Sequence, residues 1–174
     1  MRRTGGLAVL VALAPFLLAA CGLLSTAATP QPAGRYPSPI AQEVCGEKAA
    51  SEIADVLGLS AHVSRPTWVG HLYSCDYEYG KATMVLSVKE LSSWPQTYAY
   101  YNGLGRALHL QQQIVSLGQG AFEAGNGSVV VRKDWKVLLV DVHGLPGSFG
   151  NPPSPVGNVA LSVAGVILGC WHGD

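Results

Sequence analysis

The chain has 174 residues, 48% of them apolar, and its 11 Lys plus Arg balance 11 Asp plus Glu. That length holds one domain with a real core and is too short for two comfortable ones. The lack of a basic excess argues against nucleic acid as a partner. Part of the apolar fraction is not core, because residues 7–20 run without a charge behind Arg2 and Arg3. A bilayer-crossing helix needs about 20 apolar residues. This run is shorter and contains Pro15, so it reads as a targeting segment and not as a permanent span.

The run closes on Leu18-Ala19-Ala20-Cys21-Gly22, which resembles the lipobox of bacterial lipoproteins. The resemblance implies that residues 1–20 are a cleaved signal peptide and that Cys21 becomes the lipidated N-terminus. Small residues before the cut let a peptidase draw extended backbone into a narrow cleft, and the Cys21 thiol takes the diacylglyceryl group. Acylation of the new amine would add a further chain, and two or three chains anchor firmly where one holds only marginally. The expected partner of the anchor is the cell membrane, on its extracytoplasmic face. Arg2-Arg3 lacks the rest of a twin-arginine motif, so general export is expected. Once Arg2 and Arg3 leave, 9 Lys plus Arg face 11 Asp plus Glu.

Residues 21–39 include Ser25, Thr26, Pro30, Pro32, Pro37 and Pro39 without apolar periodicity, and they read as a tether. The folded domain is then expected over 40–174. From Cys45 to Leu57, apolar Cys45, Ala49, Ile53, Val56 and Leu57 keep helical spacing, with Gly58 as a stop. Tyr73, Cys75, Tyr77 and Tyr79 alternate with polar neighbours, as do Ala82, Met84, Leu86 and Val88, so Gly80-Lys81 predicts a hairpin turn. Ser93-Trp94-Pro95-Gln96 has the form of a capping box ahead of a second helix, on which Tyr98 and Tyr101 face the core. The Gly-rich stretch from Gly118 to Gly127 predicts a turn leading into a strand. Val129-Val130-Val131 and Val137-Leu138-Leu139-Val140 predict a buried hairpin, and Ser154-Pro155 opens a last helix. The predicted class is α+β: a single domain with a largely antiparallel sheet and about three helices packed on one face.

With Cys21 assigned to lipid, Cys45, Cys75 and Cys170 remain, and only one bond can form among them. Pairing Cys45 with Cys75 would staple the first helix to the first hairpin strand in an oxidising compartment. Cys170 would then be a spare thiol. None of the cysteines forms a C-x-x-C pair and the five His are scattered, so no metal or other cofactor is expected. No G-x-S-x-G elbow, H-E-x-x-H or P-loop occurs. Glu123 stands where a dinucleotide loop needs its third Gly.

Cys45 at the first helix, Val56-Leu57-Gly58 at its end, Ser74-Cys75-Asp76-Tyr77 and Leu117-Gly118-Gln119-Gly120-Ala121 ahead of a Val strand resemble the actinobacterial DUF3558-type lipoproteins. The resemblance covers most of residues 42–170. It implies an α+β envelope domain, a Cys45–Cys75 disulfide and no established enzyme activity. Tyr77 stands where that family often has Trp, and Cys170 is an addition. The expected function is a non-catalytic binding module for an envelope lipid, a glycan or a protein. Its motivation is the aromatic-rich stretch around the hairpin and second helix. Trp94 is one contact candidate. Tyr100 is the other, expected to be exposed between core-facing Tyr98 and Tyr101. The alternatives are a hydrolase assembling His62, His71, His109 or His143 with a distant Ser or Asp, and an accessory subunit of an envelope complex.

Overall fold

The structure, a computed structural model, describes residues 29–171. The expected signal peptide, Cys21 and His172 lie outside the described residues. The helix expected from Cys45 to Leu57 starts two residues later, at Glu47, and a short helix that the sequence pattern does not announce precedes it. Helix α1 (Pro39–Glu43) is capped by the Ser38 hydroxyl, which accepts from the Ala41 amide. The chain turns at Val44-Cys45-Gly46 and resumes as α2 (Glu47–Leu57). Helix α2 ends on Gly58, as its position predicts. Gly58 has φ +62°, and a Cβ there would stand 2.0 Å from the Asn151 carbonyl oxygen, so only Gly fits.

The strands are β1 (His62–Val63), β2 (Thr67–Val69), β3 (Leu72–Tyr79), β4 (Ala82–Glu90), β5 (Leu110–Ile114), β6 (Gly120–Ala124), β7 (Val129–Lys133) and β8 (Lys136–Gly144). They pair antiparallel in the order β1-β3-β4-β8-β7-β6-β5, with β2 also on β3. A short ribbon of β9 (Ser148–Phe149) and β10 (Ser154–Pro155) stands apart. The hairpins expected at Gly80-Lys81 and between the two Val runs form. The Gly-rich stretch, expected as a turn, instead contains β6. Its Ala121, Phe122 and Ala124 are buried by pairing with β7, although each is flanked by glycine or charge.

Helix α3 (Trp94–Ala107) follows β4, and α4 (Val156–Cys170) closes the fold. Alternation along the central strands sorts the core between two faces. Val129, Val131, Leu138 and Val140 pack with Ile53 of α2 and Val159, Val163 and Ile167 of α4. Val130, Val137 and Phe122 point the other way and meet Tyr101, Leu104 and Leu108. The fold is α+β with α1, α2 and α4 on one face, whereas the expected second helix, α3, covers the opposite face alone.

Cys45 and Cys75 form a disulfide with their Cα atoms 6.0 Å apart. The bond ties the bend between α1 and α2 to β3. The Tyr77 hydroxyl adds a hydrogen bond to the Val44 carbonyl oxygen at 2.7 Å.

The expected tether, 21–39, departs from expectation where it is described. Ala33 donates its amide to the Leu91 carbonyl at 3.0 Å, and Trp68 Nε1 donates to the Arg35 carbonyl at 3.0 Å. The Ser38 amide and hydroxyl donate to the Glu90 carboxylate. Buried Glu90 needs such donors, and supplying them draws residues 33–38 onto the domain as a strap. Among the described residues no helix is long and apolar enough to cross a membrane.

Candidate functional site

The most unusual polar group among the described residues is Arg132. Strand β7 sets it opposite Val137 and Gly120, in phase with Val130, so its side chain joins the face covered by α3. It is 8% exposed. Helix α3 supplies the surroundings. Ser93 caps it by accepting from the Gln96 amide at 3.4 Å, and Pro95 lies in its first turn. The Gln96 side chain reaches back to the Ser92 amide at 3.1 Å, one residue short of the reciprocal bond a capping box predicts. The helix turn then brings three rings around the guanidinium. Arg132 Cζ lies 4.4 Å from the Tyr98 centroid, 5.6 Å from Trp94 and 5.8 Å from Tyr101.

Arg132 donates one amino group to the Gln119 carbonyl, and its Nε has no partner. No carboxylate among the described residues pairs with it. A buried cation without a counter-charge is costly. Ring faces offset part of that cost, each by about 0.5–2 kcal/mol. Tyr98 remains 47% exposed, so part of its ring meets solvent while Arg132 packs against it. Trp94 is half-buried, its centroid 6.1 Å from that of Tyr98. Gln119, whose carbonyl receives the Arg132 bond, donates its side-chain amide to Asp134 Oδ1 at 3.1 Å.

The two aromatic candidates fare differently. Trp94 belongs to this platform. Tyr100, expected to be exposed, is half-buried against the second core with Lys89 Nζ 5.6 Å from its ring, and burial pushes its phenol pKa up. Tyr98, expected in the core, is the exposed ring. The buried stripe of α3 runs through Thr97, Tyr101, Leu104 and Leu108. Tyr100 flanks that stripe, and Tyr98 lies about 100° beyond Thr97. Arg132 was absent from the expected site because Arg132-Lys133-Asp134 looks like a polar turn. Its phase with Val130 in a buried strand was the available signal.

His62, His71, His109 and His143 are all exposed. His143 alone meets a carboxylate: its Nδ1 is 2.9 Å from Asp141 Oδ1, which also accepts from the Ser128 hydroxyl at 3.1 Å. Ser, His and Asp are thus neighbours in an order that does not support attack. The carboxylate sits between the other two, so the Ser128 proton has no imidazole to take it. Ser128 is also fully buried and accepts from the Val142 amide at 3.1 Å. The trio closes the ends of β7 and β8.

Cys170 donates its thiol to Glu52 Oε2 at 3.3 Å. Burial, that hydrogen bond and the Glu52 charge push its pKa up, the opposite of activation. An apolar hollow of about 180 Å³ lies beside it, against Ala49 and Ile167. A more open cleft of about 370 Å³ is lined by Leu117, Gly118, Gln119, Lys133 and Leu168. Among the described residues no cluster of His, Cys, Asp and Glu could hold a metal ion. No family model matches the chain, and no curated protein or solved structure matches it.

Proposed function

We propose that the mature chain is a membrane-anchored lipoprotein of the cell envelope whose domain is a non-catalytic binding module. Its ligand contact is the platform of Trp94, Tyr98 and Arg132. One observation carries this reading: an exposed tyrosine ring rests on a buried arginine that has no counter-charge. A fold that keeps an unpaired cation under an exposed ring bears a stability cost that packing alone does not require. Recognition supplies a reason for it. Exposed aromatic rings with amide and carboxylate groups nearby suit the apolar face and hydroxyl rim of a sugar ring, so an envelope glycan is the ligand class this chemistry fits best.

The lipobox-like Leu18-Ala19-Ala20-Cys21 and the resemblance to DUF3558-type lipoproteins support the anchor and the compartment. A hydrolase gains no support from Ser128, His143 and Asp141 in the order found.

The test is titration of the mature protein against purified envelope polysaccharide, compared with Tyr98→Ala and Trp94→Ala. Each substitution should weaken binding by up to roughly tenfold, the size expected for one ring contact. Equal affinity in all three proteins would sink the platform as the contact.

A further inference from the structure

We propose that the end of the sheet where the chain arrives from its anchor lies against an anionic phospholipid surface. This rests on the reading of Cys21 as the lipid-bearing residue and deepens it by assigning the face.

The strand registers define that end. Leu72 is opposite Lys89, Lys89 opposite Val137, Val137 opposite Arg132, and Arg132 opposite Gly120. On the far edge Ile114 is opposite Ala121, so Val115 falls level with Gly120. Just past this row come the turn after Val69, the turn at Asp134 and the turn from Val115 to Gln119. The strap, bonded at Leu91 and Glu90, belongs to the same end. Three large apolar side chains are the most exposed among the described residues: Val115 at 86%, Val69 at 75% and Tyr36 at 71%. All three stand at this end, spread across the sheet from one edge to the other. Apolar groups left singly on a surface need no explanation. The three most exposed ones aligned at one end do.

Charge points the same way. Among the described residues, Arg35, Lys89, Arg132 and Lys133 lie at this end against Asp134. Glu90 and Lys136, buried and opposite in register, add no net charge. The mature chain as a whole is slightly acidic, and α1 and α2 carry Glu43, Glu47, Glu52 and Asp55 against Lys48. The positive excess is therefore local. Basic groups beside tyrosine and aliphatic side chains are the chemistry that an anionic headgroup layer attracts.

Chain length excludes the opposite orientation. Seven residues, and so eight Cα-to-Cα steps, separate Cys21 from Thr29, and whatever their conformation they span at most about 29 Å. A domain of this size is roughly 36 Å across. An anchor that short cannot reach the bilayer if the strap end of the sheet points away from it. The same placement sets the Trp94–Tyr98 platform near the membrane surface, since Arg132 belongs to the terminal row.

The test uses the mature chain with Cys170→Ser, coupled through the Cys21 thiol to a maleimide phospholipid in vesicles of phosphatidylglycerol and phosphatidylcholine. Hydroxyl-radical footprinting compares it with the same chain capped at Cys21 and free in solution. Tyr36, Val69 and Val115 should oxidise several-fold more slowly on the vesicles, while Val56 and Leu161 keep their rates. Arg35→Glu with Lys89→Glu, or vesicles of phosphatidylcholine alone, should return the three residues toward their solution rates. Unchanged rates at the three, or equal protection of Val56 and Leu161, would overturn the assignment of the face. Protection indifferent to phosphatidylglycerol would overturn its anionic character. Because the lipid is attached chemically, none of these outcomes depends on acylation in the cell. Intact mass of the chain extracted from membranes tests that separately, and an unlipidated mass would sink the lipoprotein reading alone.

Discussion

The two faces of the sheet are built to different standards. On the face covered by α1, α2 and α4, small aliphatic side chains interlock, the Tyr77 hydroxyl has a carbonyl partner, and a disulfide holds the bend between the first two helices. On the face covered by α3 alone, the core is smaller and more aromatic, and Arg132 Nε and the Tyr101 hydroxyl are buried without hydrogen-bond partners, as the Tyr79 hydroxyl is on the first face. Buried polar groups are nearly always satisfied, so each exception asks for a reason. The first face holds the domain together, and the second carries a cost that a packing core does not need. What sets the second face apart is that one of its exceptions is a cation beneath an exposed ring, and that is where a binding surface is to be sought.

The comparison is broken most severely by removing the staple of the first face. The Cys45–Cys75 bond closes a loop with a sequence separation of 30, worth about 3–4 kcal/mol in the chain-entropy model. Cys45→Ser with Cys75→Ser should lower the melting temperature by roughly 10–15 °C, read by circular dichroism. If the second face does its work independently, polysaccharide affinity at a temperature where the variant is folded should stay as it was. A loss of affinity that tracks the loss of stability would show that the faces are not separable.

A second comparison uses pH and the tyrosines of the first face. Burial raises the phenol pKa of Tyr77 far above its ordinary value, and that of Tyr79 to about 12. A phenol harder to ionise in the native state than in the unfolded chain adds stability that is complete below about pH 10. That stability is lost as pH rises through the native value, so denaturation midpoints should be level near neutrality and fall between about pH 10 and 12. The Tyr79 hydroxyl has no partner, so Tyr79→Phe should leave neutral stability nearly unchanged and make the alkaline fall shallower. A fall of unaltered depth in Tyr79→Phe would mean that other groups carry it.

Much of the first face was legible in the sequence, and much of the second was not, for physical reasons. Helical spacing up to Ile53 and Leu57, alternation around Tyr77 and Met84, and the run of Val before Arg132 are local patterns of one buried side per element. The short α1 was hidden because Pro37, Ser38 and Pro39 read as tether, and the start of α2 at Glu47 because Cys45 shares the apolar spacing of Ala49 and Ile53 although Gly46 is the cap. Strand β5, Leu110-Gln111-Gln112-Gln113-Ile114, shows no alternation because most of it is exposed at the sheet edge. The inversion of Tyr98 and Tyr100 came from placing the buried meridian of α3 one residue too late. Arg132 could be found only by letting strand phase outrank the polarity of its neighbours. The docking of residues 33–38 depended on Glu90, a carboxylate whose burial no local pattern announces.

The smallest expected change in stability discriminates best between the two faces. Arg132→Met keeps the length and most of the volume of the side chain while removing the charge and the orphaned Nε. If Arg132 were a structural strut, losing its bond to the Gln119 carbonyl and its three ring contacts would destabilise the domain by a few kcal/mol. With no carboxylate repaying its burial, the opposite is expected: stability within about 1 kcal/mol of the parent or above it, as when buried charges give way to well-packed apolar groups. Polysaccharide affinity should nevertheless fall, because Tyr98 would lose the cation that holds its ring in place. Urea midpoints and binding titrations on the same preparation separate the possibilities. Stability kept with affinity lost marks Arg132 as a recognition element, whereas stability lost with affinity kept would return the α3 face to ordinary packing.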